Sequence, residues 1–136
     1  MVLEGRLWKD GKFWLVEIPN LDYLTQGRSQ KEAMKMAKDI VETGVDKRGF
    51  KADVRMNGKD NFILTVNDSK ALIAHMLRRL RQKNGLTIRE VSKRMGSSSP
   101  NAFGSYEQGK QAPTLEKLEE LIHAIDPSQK IVLKIA

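Results

Sequence analysis

The chain of 136 residues contains no cysteine, and aromatic residues make up only 6% of it. Without cysteine, disulfide frameworks and thiolate metal sites are excluded, and a reducing cytoplasm is the expected location. Apolar residues form no run near the ~18 residues of a membrane span, and no signal-peptide pattern opens the sequence. We therefore expect no membrane partner.

Acidic residues are scarce in one part of the chain. Residues 1–68 carry 12 Lys/Arg and 11 Asp/Glu, whereas residues 69–136 carry 12 and 6. Between Lys70 and Arg94 eight basic residues accompany a single acid, Glu90. Such a basic field suits a polyanion, because each neutralised phosphate releases condensed counterions. Charge alone is equally compatible with a solvated helix face, so motifs must decide.

The spacing of apolar residues in the second half predicts four helices. Thr87 with Glu90 makes a capping-box pattern, and Pro100 suits the first position of a helix. The first predicted helix covers residues 72–80 and is ended by Asn84-Gly85, and the second runs from Thr87 to Gly96. The third runs from Pro100 to Gly109, and the fourth is capped by Thr114.

Residues 70–125 resemble the helix-turn-helix domains of the lambda-repressor and Cro type. The residues that match are Leu80, Gly85-Leu86-Thr87, Val91, Gly96, Ser105 to Lys110 and Pro113 to Leu118. The sequence departs from the pattern in a turn after Gly96 that is one residue longer, and in Ile88, where glutamine is common.

This resemblance implies that the third helix reads bases in the major groove of operator DNA. Asparagine pairs with adenine, and the alanine methyl group meets that of thymine. The expected base-reading residues are Ser98, Ser99, Asn101, Ala102 and Ser105, and the expected phosphate-binding residues are Arg89, Lys93 and Lys110.

The C-terminal tail is a short apolar run rich in β-branched residues, which predicts a strand at about residues 130–135. A lone strand is not stable, so it must pair with another domain or with a second copy. Because helix-turn-helix readers bind paired half-sites as dimers, we expect a homodimer or a higher homo-oligomer. The residues assigned to dimerisation are Ile131, Val132, Leu133 and Ile135.

The first half predicts a small α+β domain. A hairpin over residues 2–18 turns at Asp10-Gly11, and a short third strand follows at 23–27. Ser29 then caps a helix that ends at Gly44. A second hairpin, 51–56 and 61–66, closes the domain.

Residues 1–66 resemble the HicB antitoxin family, most specifically at residues 14–37. The matching segments are Trp14 to Pro19, Thr25-Gln26-Gly27 and Ser29 to Ala37. The glycine usual after the proline is missing, and Arg28 stands where the family has an acid.

The resemblance implies a degenerate ribonuclease H-like β-β-β-α-β domain at 1–68 that binds a HicA-type toxin, followed by a helix-turn-helix domain at 69–136. Such antitoxins cover the active site of an mRNA-cleaving toxin and repress their own operon. The residues assigned to toxin binding are Trp14, Glu17, Asp22 and Tyr23.

Two other functions remain open. The chain could be a repressor without a toxin, of phage or mobile-element origin, whose first domain binds a ligand or dimerises. It could also be a nuclease that retains metal-dependent chemistry at Glu17 or Asp53. No spacing forces the carboxylates together, so we expect no catalytic residue, metal or cofactor.

Overall fold

The structure is a computed structural model, and it describes residues 1–135. The chain divides into two compact units, Met1–Leu72 and a second that begins at Ile73; the sequence-based boundary was 68/69. The first unit holds the strands β1 (Val2–Asp10), β2 (Phe13–Ile18), β3 (Tyr23–Gly27), β4 (Ala52–Met56) and β5 (Asn61–Val66), with the helix α1 (Gln30–Val45). The other helices are α2 (Ser69–Lys83), which spans the boundary, α3 (Ile88–Arg94), α4 (Asn101–Glu107) and α5 (Leu115–Ile125).

The five strands form one antiparallel sheet in the order β3-β2-β1-β5-β4. Both predicted hairpins are present, so the sheet has one strand more than the implied β-β-β-α-β order. Because α1 connects the two edge strands, it crosses one face of the sheet. The mixed α+β class is confirmed.

Alternation along the strands separates a covered face from an open face. On β1, Leu3, Gly5 and Leu7 are buried, while their neighbours in sequence are exposed or half-buried. The covered face packs against the apolar stripe of α1. The buried side chains of this layer are Leu3, Leu7, Val16, Ile18, Ala33, Ala37, Val41, Phe62 and Leu64.

β3 ends in Gly27 because the position has no room for a side chain. A Cβ atom at this position would lie 2.5 Å from the backbone nitrogen of Ala33. The first turn of α1 therefore rests directly on the strand. Ser29 caps that turn by accepting a hydrogen bond from the backbone N–H of Glu32 at 3.1 Å.

The second unit is a helical bundle with the predicted caps. Thr87 and Glu90 form the reciprocal capping box of α3, and Thr114 accepts from the N–H of Lys117 to cap α5. Pro100 is the N-cap of α4 rather than its first residue. The core consists of Leu77, Val91, Phe103, Leu121, Ile122 and Ile125.

The predicted C-terminal strand is absent from the described residues. Residues 130–135 carry no secondary structure, and Val132, Leu133 and Ile135 are 87%, 73% and 91% exposed. Ile131 alone packs against the helical core. The prediction of a strand within one chain is wrong, because no other segment of the described residues pairs with the tail. Whether a second copy pairs with it is a separate proposal.

Candidate DNA-binding interface

The helices α3 and α4 are joined by a tight turn that Gly96 begins. Gly96 has φ +85°, a left-handed conformation that favours glycine. Ser97 then orders the turn, since its hydroxyl accepts a hydrogen bond from the N–H of Ser99 at 3.1 Å. These two features shape the turn between α3 and α4.

Ser92 fastens the start of α4 to α3. Its hydroxyl donates to the carbonyl of Pro100 at 3.0 Å and accepts from the N–H of Phe103 at 3.1 Å. The side chain is buried, so these two bonds have no competition from water. Sequence reasoning did not identify this residue, because a serine on a short helix is ordinarily exposed.

Ile88 packs where α3 and α4 cross. A Cβ atom on Gly104 would lie 3.2 Å from Cγ2 of Ile88, so the glycine allows the two helices to approach closely. Ile88 therefore makes a packing contact between α3 and α4.

A buried ion pair holds the end of α4. The carboxylate of Glu107 accepts hydrogen bonds from Nε and Nη2 of Arg81, each at 2.7 Å. A third guanidinium bond goes from Nη1 of Arg81 to the carbonyl of Leu86 at 2.8 Å. Hydrogen bonding to Glu107 raises the pKa of Arg81. α4 is thus held at its start by Ser92 of α3 and at its end by Arg81 of α2.

A groove of about 460 Å³ lies between α4 and the start of α3. Arg89 and Asn101 line it, together with Gln108 at the C-cap of α4. All three are exposed, and their amide and guanidinium groups are the donors that DNA recognition uses. Gln108 was absent from the sequence-based set, although its place one residue beyond the helix could have suggested it.

The predicted base-reading residues lie at the start of α4 and in the turn before it. Asn101, Ser98 and Ser99 are exposed, whereas Ala102 and Ser105 are half-buried. The hydroxyl of Ser105 donates to the carbonyl of Asn101 at 2.9 Å. The Asn101 side chain is thus the best-presented of these groups, and the role of each remains a prediction.

The basic residues divide into two groups. Arg89, Lys93 and Lys110 are exposed and form no ion pair with another residue in 1–135, as phosphate binding requires. Arg94 instead donates to the carbonyls of Ala124 and Ile125, both at 3.2 Å. Arg81 and Arg78 pair with the single carboxylate of Glu107, so these three arginines have partners within the domain, although Arg94 keeps its full charge.

His75 is buried, although its spacing placed it on the polar side of α2. Burial, with the charges of Arg78 and Arg79, lowers its pKa to about 4. The imidazole is therefore neutral near pH 7. Among residues 1–135 no cluster of three or more His, Cys, Asp and Glu side chains could hold a metal ion, and no helix is long and apolar enough to cross a membrane.

The four residues assigned to toxin binding do not share one surface. Glu17 lies on the open face of the sheet, because it alternates with the buried Val16 and Ile18. Trp14 and Tyr23 pair across strands with Gly27 and Ile18 and so lie on the side of α1. Asp22 occupies the left-handed turn between β2 and β3, at φ +54°.

Comparison with known proteins agrees with this geometry. Residues 72–129 match a family described as "Helix-turn-helix domain". No curated protein matches the sequence. The match covers α3, α4 and the helices that support them. Residues 72–129 are therefore similar to helix-turn-helix domains, and this match supports DNA binding and a part in transcription regulation.

Proposed function

We propose that the chain is an antitoxin that neutralises a HicA-type, mRNA-cleaving toxin and represses its own operon. The helix-turn-helix domain accounts for the repression. The resemblance of residues 14–37 to HicB antitoxins is the reason for proposing a toxin as the partner. This protein would not itself be an enzyme and would need no cofactor.

The observation that carries the proposal is the open face of the sheet in the first unit. Leu24 is 67% exposed, Val2 50% and Phe13 40%, and alternation puts all three on the face opposite α1. In the cross-strand register Val2 and Phe13 lie near opposite ends of the strands, with Leu24 between them. A sheet face that bears exposed apolar side chains along its length offers a partner an apolar surface. A domain that had no partner of its own would not need exposed apolar side chains on this face.

Charge on the same face suits a basic partner. Glu17 lies beside Leu24 in the cross-strand register. On its other side Glu17 pairs across strands with Arg6, so this face carries charges of both signs. The carboxylate of Glu17 could attract a basic group of the toxin during encounter and help to fix its orientation. We therefore place the toxin contact around Glu17 and Leu24; Trp14, Asp22 and Tyr23 would take part only at an edge.

Repression would require two copies on one operator. Half-sites lie about one helical turn apart, so two recognition helices must be held at that distance. Self-pairing of the exposed residues Val132, Leu133 and Ile135, with Ile131, across a twofold axis would provide the dimer.

Co-expression with the small open reading frame beside the gene tests the proposal. The neighbouring product should arrest growth alone, be harmless together with this chain, and co-purify with it. Leu24→Glu should abolish both rescue and co-purification without weakening DNA binding. The matched control is Leu115→Glu, since Leu115 is also exposed (49%) but lies on α5. If this chain neither relieves the growth arrest nor binds the neighbouring product, and yet binds the promoter, it is a stand-alone repressor.

A further inference from the structure

A cleft of about 550 Å³ lies at one end of the sheet in the first unit. This volume falls within the ~300–1,000 Å³ of small-molecule sites. Of the residues assigned to DNA or toxin binding, Trp14 alone lines this cleft. Its lining residues are Trp8, Lys9, Trp14, Gln30, Gly58, Lys59 and Asp60.

Trp14 provides the apolar surface of the cleft. It pairs across strands with Lys9 on one side and Gly27 on the other, so Trp14 and Lys9 share the side on which α1 lies. Residue 27 has no side chain, and so none stands between the indole and the first turn of α1. Gln30, the first residue of that helix, reaches the same cleft. The indole is half-buried, which leaves part of it accessible.

The loop between β4 and β5 forms the opposite rim. The N–H of Leu7 donates to the carbonyl of Asp60 at 2.9 Å, which ties this loop to the central strand. Lys59 and Asp60 are exposed there, and Lys9 is exposed on β1. None of these three charged groups has an ion-pair or hydrogen-bond partner for its side chain within residues 1–135.

These groups match the parts of a ribonucleotide. An aromatic face stacks with any base, ammonium groups bind phosphate, and a carboxylate accepts hydrogen bonds from ribose hydroxyls. We propose that this cleft binds a ribonucleotide, with its base on Trp14, its phosphate between Lys9 and Lys59, and its ribose against Asp60. The ligand could be a free mononucleotide or one nucleotide of single-stranded RNA, since both present the same chemistry.

Trp8 is not the residue that we expect to stack on the base. The guanidinium of Arg6 lies 4.9 Å from the centroid of its ring, so one face of this indole is already in contact with a cation. Trp8 and Trp14 are the only tryptophans of the chain, and both belong to the first unit. In a Trp8→Phe protein, indole fluorescence therefore reports on Trp14 alone.

The test is a fluorescence titration of the full-length Trp8→Phe protein with AMP, dAMP and a single-stranded oligo(A) RNA hexamer. AMP or the hexamer should quench Trp14 saturably, and dAMP should bind more weakly than AMP. Lys9→Gln combined with Lys59→Gln should weaken binding about tenfold or more. The matched control is Lys12→Gln, since Lys12 is exposed in the neighbouring turn and does not line the cleft. Asp60→Asn should remove the preference for AMP over dAMP.

The result also identifies the source of the nucleotide. Binding of AMP as tight as that of the hexamer indicates a free nucleotide, and much tighter hexamer binding indicates single-stranded RNA. The proposal is overturned if neither ligand quenches Trp14, or if Lys12→Gln weakens binding as much as the double variant. It is also overturned if the double variant loses only a protein partner in co-purification and retains nucleotide binding. None of these outcomes depends on the antitoxin proposal, because no toxin is present in the titration.

Discussion

The guanidinium of Arg81 and the carboxylate of Glu107 meet through two hydrogen bonds of 2.7 Å and join the end of α2 to the end of α4. The Glu107 side chain is only 4% exposed, and that of Arg81 15%. Removing one partner of a buried pair leaves the other without compensation. This pair therefore helps to hold α4 in place against α2.

We expect Glu107→Gln to lower the free energy of unfolding by about 2–4 kcal/mol, because the guanidinium of Arg81, whose side chain is only 15% exposed, loses its charged partner. Chemical denaturation measures this value. Arg78→Met is the control: its guanidinium lies 3.7 Å from Glu107 and is 43% exposed, so the loss should stay below about 1 kcal/mol. Equal losses of unfolding free energy in the two variants would show that the pair of Glu107 with Arg81 contributes no more to stability than the contact with Arg78.

Ser92→Ala removes a hydroxyl that joins α3 to the first turn of α4. The buried N–H of Phe103 then lacks an acceptor, and the free energy of unfolding should fall by about 1–3 kcal/mol. DNA binding should weaken with it, because α4 loses its fixed angle. Ser98→Ala, at an exposed position of the turn, should change stability by less than about 0.5 kcal/mol. A Ser92→Ala protein as stable as the Ser98→Ala protein would contradict this role.

His75 makes stability depend on pH. Its pKa in the folded protein is about 4, below the ordinary value of 6.5, so between these limits the unfolded chain binds the extra proton. Its contribution is complete above pH 6.5 and declines as the pH falls toward 4, by at most about 3 kcal/mol. His75→Gln should flatten the curve of unfolding free energy against pH in this window. A wild-type curve that is flat in this window would refute the assignment.

The C-terminal tail should govern oligomeric state. A chain that ends at Ile131 keeps the residue that packs on the helical core but loses Val132, Leu133 and Ile135. We expect it to sediment as a monomer and to bind a paired operator much more weakly than the full chain, with single half-site binding unchanged. A truncated chain that remains dimeric would exclude strand pairing as the basis of assembly.

Most of the secondary structure was predictable from local signals. Asp10-Gly11, Gly85 and Gly96 mark turns, and Ser29, Thr87 and Thr114 cap the helices that follow them. These signals act within four residues, so they can be read from the sequence. The tail failed as a strand because a strand needs a partner, which no local pattern provides.

Long-range contacts were not predictable. Arg81 and Glu107 are separated by 26 residues, and nothing in either neighbourhood indicates the pair. The burial of His75 and the bridge made by Ser92 depend likewise on packing. Asn101, which was predicted from the sequence as a base reader, lines the groove, and so does Gln108, which was not predicted.

Comparing two substitutions across several DNA sequences tests the central claim, that α4 reads bases while basic side chains hold phosphates. Fluorescence anisotropy would measure the binding of Asn101→Ala and Lys110→Ala proteins to the promoter and to promoter variants at several salt concentrations. Asn101→Ala should reduce discrimination at one base position by about 1–3 kcal/mol, while Lys110→Ala should weaken every sequence alike and reduce the salt slope by about one. Equal losses on all sequences for both variants, with the preference among promoter variants unchanged, would contradict the account.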